Sequence, residues 1–139
     1  MIIEDGCILF AKNEVDSYYY SIGGGVHLGE KAEDAVKREV FEETGINYEI
    51  DRLAVIHENF FLDDDISKGR KCHEISFYFI MKPKGNQDLN SNSFCAEGKE
   101  YMNWIPINQL KNHTVYPTFY KDILTDLPSN IVHIVTKQY

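Results

Sequence analysis

Apolar residues fall along this chain in short runs with two different periods. Cys7-Ile8-Leu9-Phe10-Ala11 is a continuous apolar run. With Met1-Ile2-Ile3 it predicts two strand pieces around a Glu4-Asp5-Gly6 turn within residues 1–12. A polar loop over 13–17 leads to a short aromatic strand over 18–22, and Gly23-Gly24-Gly25 then ends any regular pattern. Residues 31–44 switch to helical spacing and stop at Gly45, a fitting C-terminal cap. Strands are expected over 50–61 and 74–81, the second closed by Pro83. The charged stretch 62–72 between them reads as a loop, and so does the Asn- and Ser-rich stretch 85–98. A strand over 99–106 carries the only tryptophan, Trp104. Residues 107–111 and 117–127 read as helical, and 131–136 as a last strand. Strands interleaved with two or three helices predict an α/β or α+β domain with a central mixed sheet.

Length and charge narrow the function classes. At 139 residues the chain has room for one domain, taken here as 1–139. The 22 acidic and 14 basic side chains give a net charge of −8, which argues against a nucleic-acid binder. A phosphorylated substrate stays open, because a bound divalent metal inverts the local field. Cys7, Cys72 and Cys95 are scattered and form no CxxC pair, so neither a zinc knuckle nor a disulfide framework is indicated. A reducing, cytoplasmic setting is expected. No apolar run reaches the length of a membrane span, and no signal-peptide pattern opens the chain. The start is abrupt, as if its strand were entered late, and a shortened N-terminus is one expectation.

The strongest chemical signal lies in the helix over 31–44. At about 100° per residue, Ala32, Ala35, Val36 and Val40 share one side. Glu39, Glu42 and Glu43 fall on that side too, spaced i, i+3, i+4. Three neighbouring carboxylates on an apolar azimuth repel one another and lose hydration. They also sit at the helix end where the dipole disfavours anions. Either the helix end projects into water as a solvated face, or a hard cation such as Mg²⁺ or Mn²⁺ compensates the charge through oxygen ligands. The preceding triple glycine, where a backbone can approach a ligand closely, favours the second. Arg38, four residues before Glu42, is close enough to steady these groups.

Read from Gly24, the chain runs five residues to Glu30, seven more, and then Arg38-Glu39-Val40-Phe41-Glu42-Glu43-Thr44-Gly45-Ile46. This resembles the Nudix box, G-x5-E-x7-R-E-U-x-E-E-x-G-U with U a bulky aliphatic, at all nine defined positions across 23 residues. The wider layout is also similar to a MutT/Nudix domain: a hydrophobic strand ahead, an aromatic strand into the glycines, and a late strand with Trp104-Ile105-Pro106. The chain departs from many relatives in having Ile22 before the glycines, where proline is usual, and Tyr19 where tryptophan is common. Phe60-Phe61-Leu62-Asp63 occupies the stretch where ADP-ribose and dinucleoside-polyphosphate subgroups carry markers, and no coenzyme A or NADH motif is present.

The resemblance implies an α/β/α sandwich that hydrolyses, with Mg²⁺ or Mn²⁺, a nucleoside diphosphate linked to another group. It implies Glu39, Glu42 and Glu43 as metal ligands, with the Gly23 carbonyl as a further ligand. Arg38 would orient a glutamate, and Glu30 would brace the loop. The general base would be Glu42 or Glu43, or, as in several relatives, a later glutamate, here Glu97 or Glu100; both also read as plain loop acids. Gly24, Gly25 and His27 are candidates to touch phosphate, and His73-Glu74 to reach the site from a strand end. Tyr18, Tyr19, Phe60 and Phe61 are candidates to stack on a base, against the alternative that strand aromatics are core. The loop with Asp63-Asp64-Asp65, Lys68, Arg70 and Lys71 either closes over substrate or is plain surface. The oligomeric state stays open, although a homodimer is common in families that resemble this one. The alternative function is a Nudix-fold protein that binds or senses a nucleotide without cleaving it.

Overall fold

The structure, a computed structural model, describes residues 1–63 and 69–139. Strands β1 (Ile3–Glu4) and β2 (Cys7–Asn13) form a hairpin. Its two turn residues, Asp5 and Gly6, both have positive φ, at 49° and 72°. That pair matches the type of two-residue turn whose twist suits antiparallel strands. β3 (Tyr19–Ser21) leads through the glycines to helix α1 (Ala32–Thr44). A long hairpin follows, β4 (Ile50–Asp63) and β5 (Arg70–Met81). Then come β6 (Phe94–Cys95), β7 (Gly98–Pro106), a 3₁₀ helix Ile107–Asn112, β8 (Val115–Tyr116), the single turn α2 (Tyr120–Ile123) and β9 (Val132–Lys137).

The class is α/β with mixed strand directions, and the strands divide into two sheets. One runs β6-β7-β2-β3-β8, with β1 paired to β2. The other runs β5-β4-β9. Each sheet contains one parallel pair, β3–β8 in the first and β4–β9 in the second. β2 is buried on both faces, which explains why Ile8, Leu9 and Phe10 read as an unbroken apolar run. Leu9 joins Ile2, Val40, Tyr48, Phe79 and Met81 in a core under α1. Ile8 and Phe10 point the other way, into a core with Val55, Leu110, Phe119 and Tyr120. Helical elements therefore cover the β-layer from two sides.

The expected elements hold with four differences, the first being the two-residue strand β6 (Phe94–Cys95) inside the stretch 85–98 read as loop. The β4–β5 ladder extends to the pair Asp63↔Arg70, so much of the charged stretch read as loop is strand. A ladder needs only backbone pairing, and charged side chains at its far end stand in solvent. The expected 117–127 helix is one turn: the Thr125 hydroxyl donates to the Asp122 carbonyl and so competes with a further turn. Val115–Tyr116, unforeseen as a strand, is held by its parallel pairing to β3.

What places α1 is its C-terminus. Gly45 adopts the left-handed conformation at φ 72°, and its N–H donates to the Phe41 carbonyl at 2.8 Å. Asn90 N–H donates to the Thr44 carbonyl at 2.9 Å, so the polar stretch after β5 ties down the helix end. A Cβ on Gly45 would collide with the Asn90 carbonyl. Gly45→Ala is expected to destabilise the fold by about 2–4 kcal/mol, combining left-handed strain with overpacking. A urea midpoint equal to that of the parent chain would contradict this account.

Candidate active site

The glycine loop and α1 are tied together by two separate sets of hydrogen bonds. Gly23 N–H donates to Glu43 Oε2 at 2.6 Å, joining the loop to the last turn of the helix. Arg38 forms the second set. Its Nε and Nη2 donate to the two oxygens of Glu30, both at 2.9 Å, and Nη2 also donates to the Gly25 carbonyl at 3.1 Å. Its Nη1 reaches Glu39 at 2.6 Å and Glu42 at 3.4 Å. Glu30 accepts in turn from the His27 N–H at 3.0 Å. Gly24 packs so closely on the Glu39 carboxylate that a Cβ there would overlap it. A side chain at position 24 would push that carboxylate out of its place.

The acids differ in environment. Glu43 is buried, at 7% exposure, and its carboxyl is pushed up to about 8. Burial is the main cause; the Gly23 N–H opposes it, and the charges of Glu100, Glu39 and Glu42 add to it. Glu100, on β7, is also buried; Tyr20 O–H donates to its Oε1 at 2.7 Å and Ser93 O–H to its Oε2 at 2.6 Å. Burial and then Glu100 push the Tyr20 phenol upward. Glu42 has a side chain 56% exposed and lies off the core-facing azimuth that the helical-wheel reading gave it. The wheel places it at the edge of the apolar stripe, and the stripe is narrower than expected.

Five carboxylates, Glu30, Glu39, Glu42, Glu43 and Glu100, thus gather around a loop backbone with one guanidinium among them. No group of three His, Cys, Asp or Glu stands ready in ligand geometry among the described residues. Arg38 and the Gly23 N–H hold the oxygens instead. The donor set still fits a hard cation: all its atoms are oxygens, and its negative charge exceeds what Arg38 balances.

A family profile described as NUDIX domain matches residues 2–127. The chain belongs to the Nudix family. It is similar to a MutT-like protein of Streptomyces ambofaciens, 37% identical over 96 residues; that match covers 69% of this chain and 56% of the relative, so it spans about half the relative's length. Among solved structures it is similar to the MutT protein of Bacillus halodurans, with a TM-score of 0.68 at 18% identity, covering 99% of this chain and 86% of that one. It is also similar to an ADP-ribose pyrophosphatase of Streptococcus suis, with a TM-score of 0.60 at 15% identity, covering 97% and 93%.

Within this Nudix fold, Gly23, Gly24, Gly25, Glu30, Arg38, Glu39, Glu42, Glu43 and Glu100 come together. The other candidates lie elsewhere. Glu97 is exposed in the β6–β7 turn, beside the Cys95 thiol. His27 is exposed on the glycine loop; its N–H donates to Glu30, and its Nδ1 stands 3.8 Å from the same carboxylate. Tyr19 turns into the core, 6.5 Å from Phe10 and 5.6 Å from His113. Its neighbour Tyr20 faces the acids, as alternation along β3 requires. Phe60 and His73 are a cross-strand pair stacked at 4.1 Å, and His73 contacts Glu58 rather than the carboxylate cluster. Asp64, Asp65 and Lys68 lie outside the described residues; Arg70 and Lys71 belong to β5. Tyr20 and Ser93 were missed because their roles depend on contacts 80 and 7 residues away.

Two cavities flank the loop. One, about 470 Å³, runs between Gly23–Gly25, the start of α1 and β5. The second, about 410 Å³, shares Ser21, Glu74 and Tyr78 with the first. The acids line neither; the loop that bonds them lines the first.

The Glu43 environment sets a pH dependence. Between its ordinary value of 4.5 and about 8, the folded chain keeps a proton that the unfolded chain has lost. Its contribution to stability is therefore complete below about pH 4.5 and is lost as pH rises through about 8. Glu43→Gln removes this slope. Measured in EDTA, the melting temperature of the variant relative to the parent should rise steadily from about pH 5 to about pH 8.5. Parallel profiles would refute the assigned environment.

Proposed function

We propose that this chain hydrolyses the pyrophosphate linkage of a nucleoside diphosphate joined to another group, with Mg²⁺ or Mn²⁺ as cofactor. The observation that carries the reading is the Glu43–Gly23 bond, which holds a buried carboxylate and a glycine backbone at one place while Glu39 and Glu42 stand beside them. Glu39, Glu42, Glu43 and the Gly23 carbonyl would hold the ion. The bound ion would lower the pKa of a ligated water and neutralise phosphate oxygens.

The chain's own residues supply the rest. Gly25 has open space beside it, where phosphate would lie against the backbone, and Gly24 seats the Glu39 carboxylate next to it. Arg38 keeps Glu39 in place and holds the loop through the Gly25 carbonyl. Glu42 is the most exposed of the three helix acids and is the group we assign to take the proton from the attacking water. Glu100 has both oxygens occupied by Tyr20 and Ser93, so it is better suited to fixing the field around Glu43 than to moving a proton. Glu97 has no contact that supports a part in the reaction. Among the described residues no helix is long and apolar enough to cross a membrane; the scattered free cysteines are the ground on which we propose a reducing cytoplasm.

The test is a nucleotide panel with Mg²⁺, reading phosphate release through a coupled phosphatase, each reaction repeated in EDTA. One compound class should turn over, and only with metal. Glu42→Gln should lower kcat by about 10²–10⁴-fold while nucleotide binding persists. Undiminished turnover in that variant would remove α1 from the chemistry. Binding without turnover in the parent chain would favour a nucleotide sensor.

A further inference from the structure

The first cavity, about 470 Å³, has the length of one strand as a wall. Residues 74–79 of β5 line it, and the glycine loop and the start of α1 form the other walls. β5 is the end strand of its sheet, whose order is β5-β4-β9, and its ladder partner there is β4. An end strand presents alternate backbone N–H and C=O groups that its own sheet cannot pair. Buried backbone groups require partners, so an open edge along a cavity is a surface of defined chemistry.

One residue already pairs with that edge. Met1 N donates to the Phe79 carbonyl at 2.6 Å, and Met81 N–H donates to the Met1 carbonyl at 3.0 Å. Bonds from one residue to two neighbours flanking its partner are the pattern of a parallel ladder. Met1 therefore stands in parallel register opposite Ile80. The same bonds fix which groups of β5 point outward: those of Phe79 and Met81, and by alternation those of Phe77 and Ile75. The cavity continues this edge as far as Glu74, the one charged side chain among the described residues that line it. Its α1 wall is apolar, made by Ala32, Ala35 and Val36. Ile75 and Phe77, large apolar side chains beside it, are 55% and 45% exposed.

We propose that this cavity is a strand-acceptor groove, in which β5 pairs with an extended peptide of another polypeptide that runs parallel to β5 and carries a cationic side chain at its upstream end. Five peptide residues, opposite 74–78, span about 17 Å at about 3.3 Å per residue. In the register that Met1 sets, peptide N–H groups donate to the Ile75 and Phe77 carbonyls. The Ile75, Phe77 and Phe79 N–H groups donate to peptide carbonyls. Peptide residues opposite Ile75 and Phe77 share the face of Phe79, which packs with Val40 under α1, so apolar side chains suit them. The upstream residue meets Glu74, which calls for lysine or arginine. Main-chain bonds would supply the affinity and these side chains the selection. A two-fold pairing of β5 with a second copy would be antiparallel, against the register of Met1, and the glycine loop opposite leaves width for one strand. This surface stands independently of the hydrolase reading.

The probe is the capped peptide acetyl-Lys-Val-Thr-Val-Thr-amide, titrated into the full chain and followed by amide hydrogen exchange. At saturation, exchange of the Ile75, Phe77 and Phe79 N–H groups should slow by about tenfold or more. N-methylation of the central threonine removes its bond to the Ile75 carbonyl without altering the protein, and should weaken binding about tenfold. The reversed peptide, acetyl-Thr-Val-Thr-Val-Lys-amide, takes the lysine away from Glu74 and should bind more weakly than the first. Glu74→Gln should abolish the difference between the two. Equal binding of the N-methylated peptide, or unchanged exchange at Ile75 and Phe77 with millimolar peptide, overturns the groove. Slowing of the same amides with rising protein concentration and no peptide overturns the peptide as occupant and gives the edge to a second copy.

Discussion

The site depends on one guanidinium. Arg38 spends its donors on Glu30, Glu39, Glu42 and the Gly25 carbonyl, and these come from both the loop and the helix. The paired fork to Glu30 is the tightest part, and it holds the Glu30 carboxyl down to about 2, ahead of the help from the His27 N–H. Lone surface ion pairs contribute little. This group is different in kind, because a planar fork meets a carboxylate at two points and fixes direction as well as distance. Without it, Glu39 and Glu42 would face each other uncompensated, and the loop would lose its second anchor to α1. A lysine could supply the charge but not the fork.

That anchoring explains how the fold tolerates Glu43. A buried carboxylate next to three other acids is a local conflict, and its raised pKa measures it. The Gly23 N–H relieves part of the cost, and it can do so only because the loop is already fixed by Arg38 and by the close seat of Gly24 on Glu39. The conflict is placed where a divalent ion would resolve it, so the carboxylates that repel one another are the ones that would hold a cation.

Much of this was legible in the sequence because it is local. The helix bounds, its glycine stop, the spacing of Glu39, Glu42 and Glu43, and the loop before them all lie within a 23-residue stretch. Charge on an apolar azimuth is visible from periodicity alone. The misread parts are those set by distant partners. Arg70 and Lys71 look like loop residues until Asp63 and Leu62 are seen opposite them. Tyr19 and Tyr20 are equivalent as letters; which one faces the acids follows from how β3 pairs with β2 and β8. Phe60 and His73 made a plausible ligand contact each, but in the register they face each other.

The same distinction separates the reaction from the docking edge. The catalytic candidates are concentrated on one helix and the loop that feeds it, so a short motif can carry them between proteins that share little else. The proposed strand groove is assembled from the Met1 backbone, the glycine loop, the start of α1 and residues 74–79 of β5. No spacing rule joins these positions. What makes β5 an acceptor is its place at the end of the sheet and the direction of its outward N–H and C=O groups, which the two bonds to Met1 reveal. Backbone carries such a contact, so side chains along β5 can change without removing it and without disturbing α1.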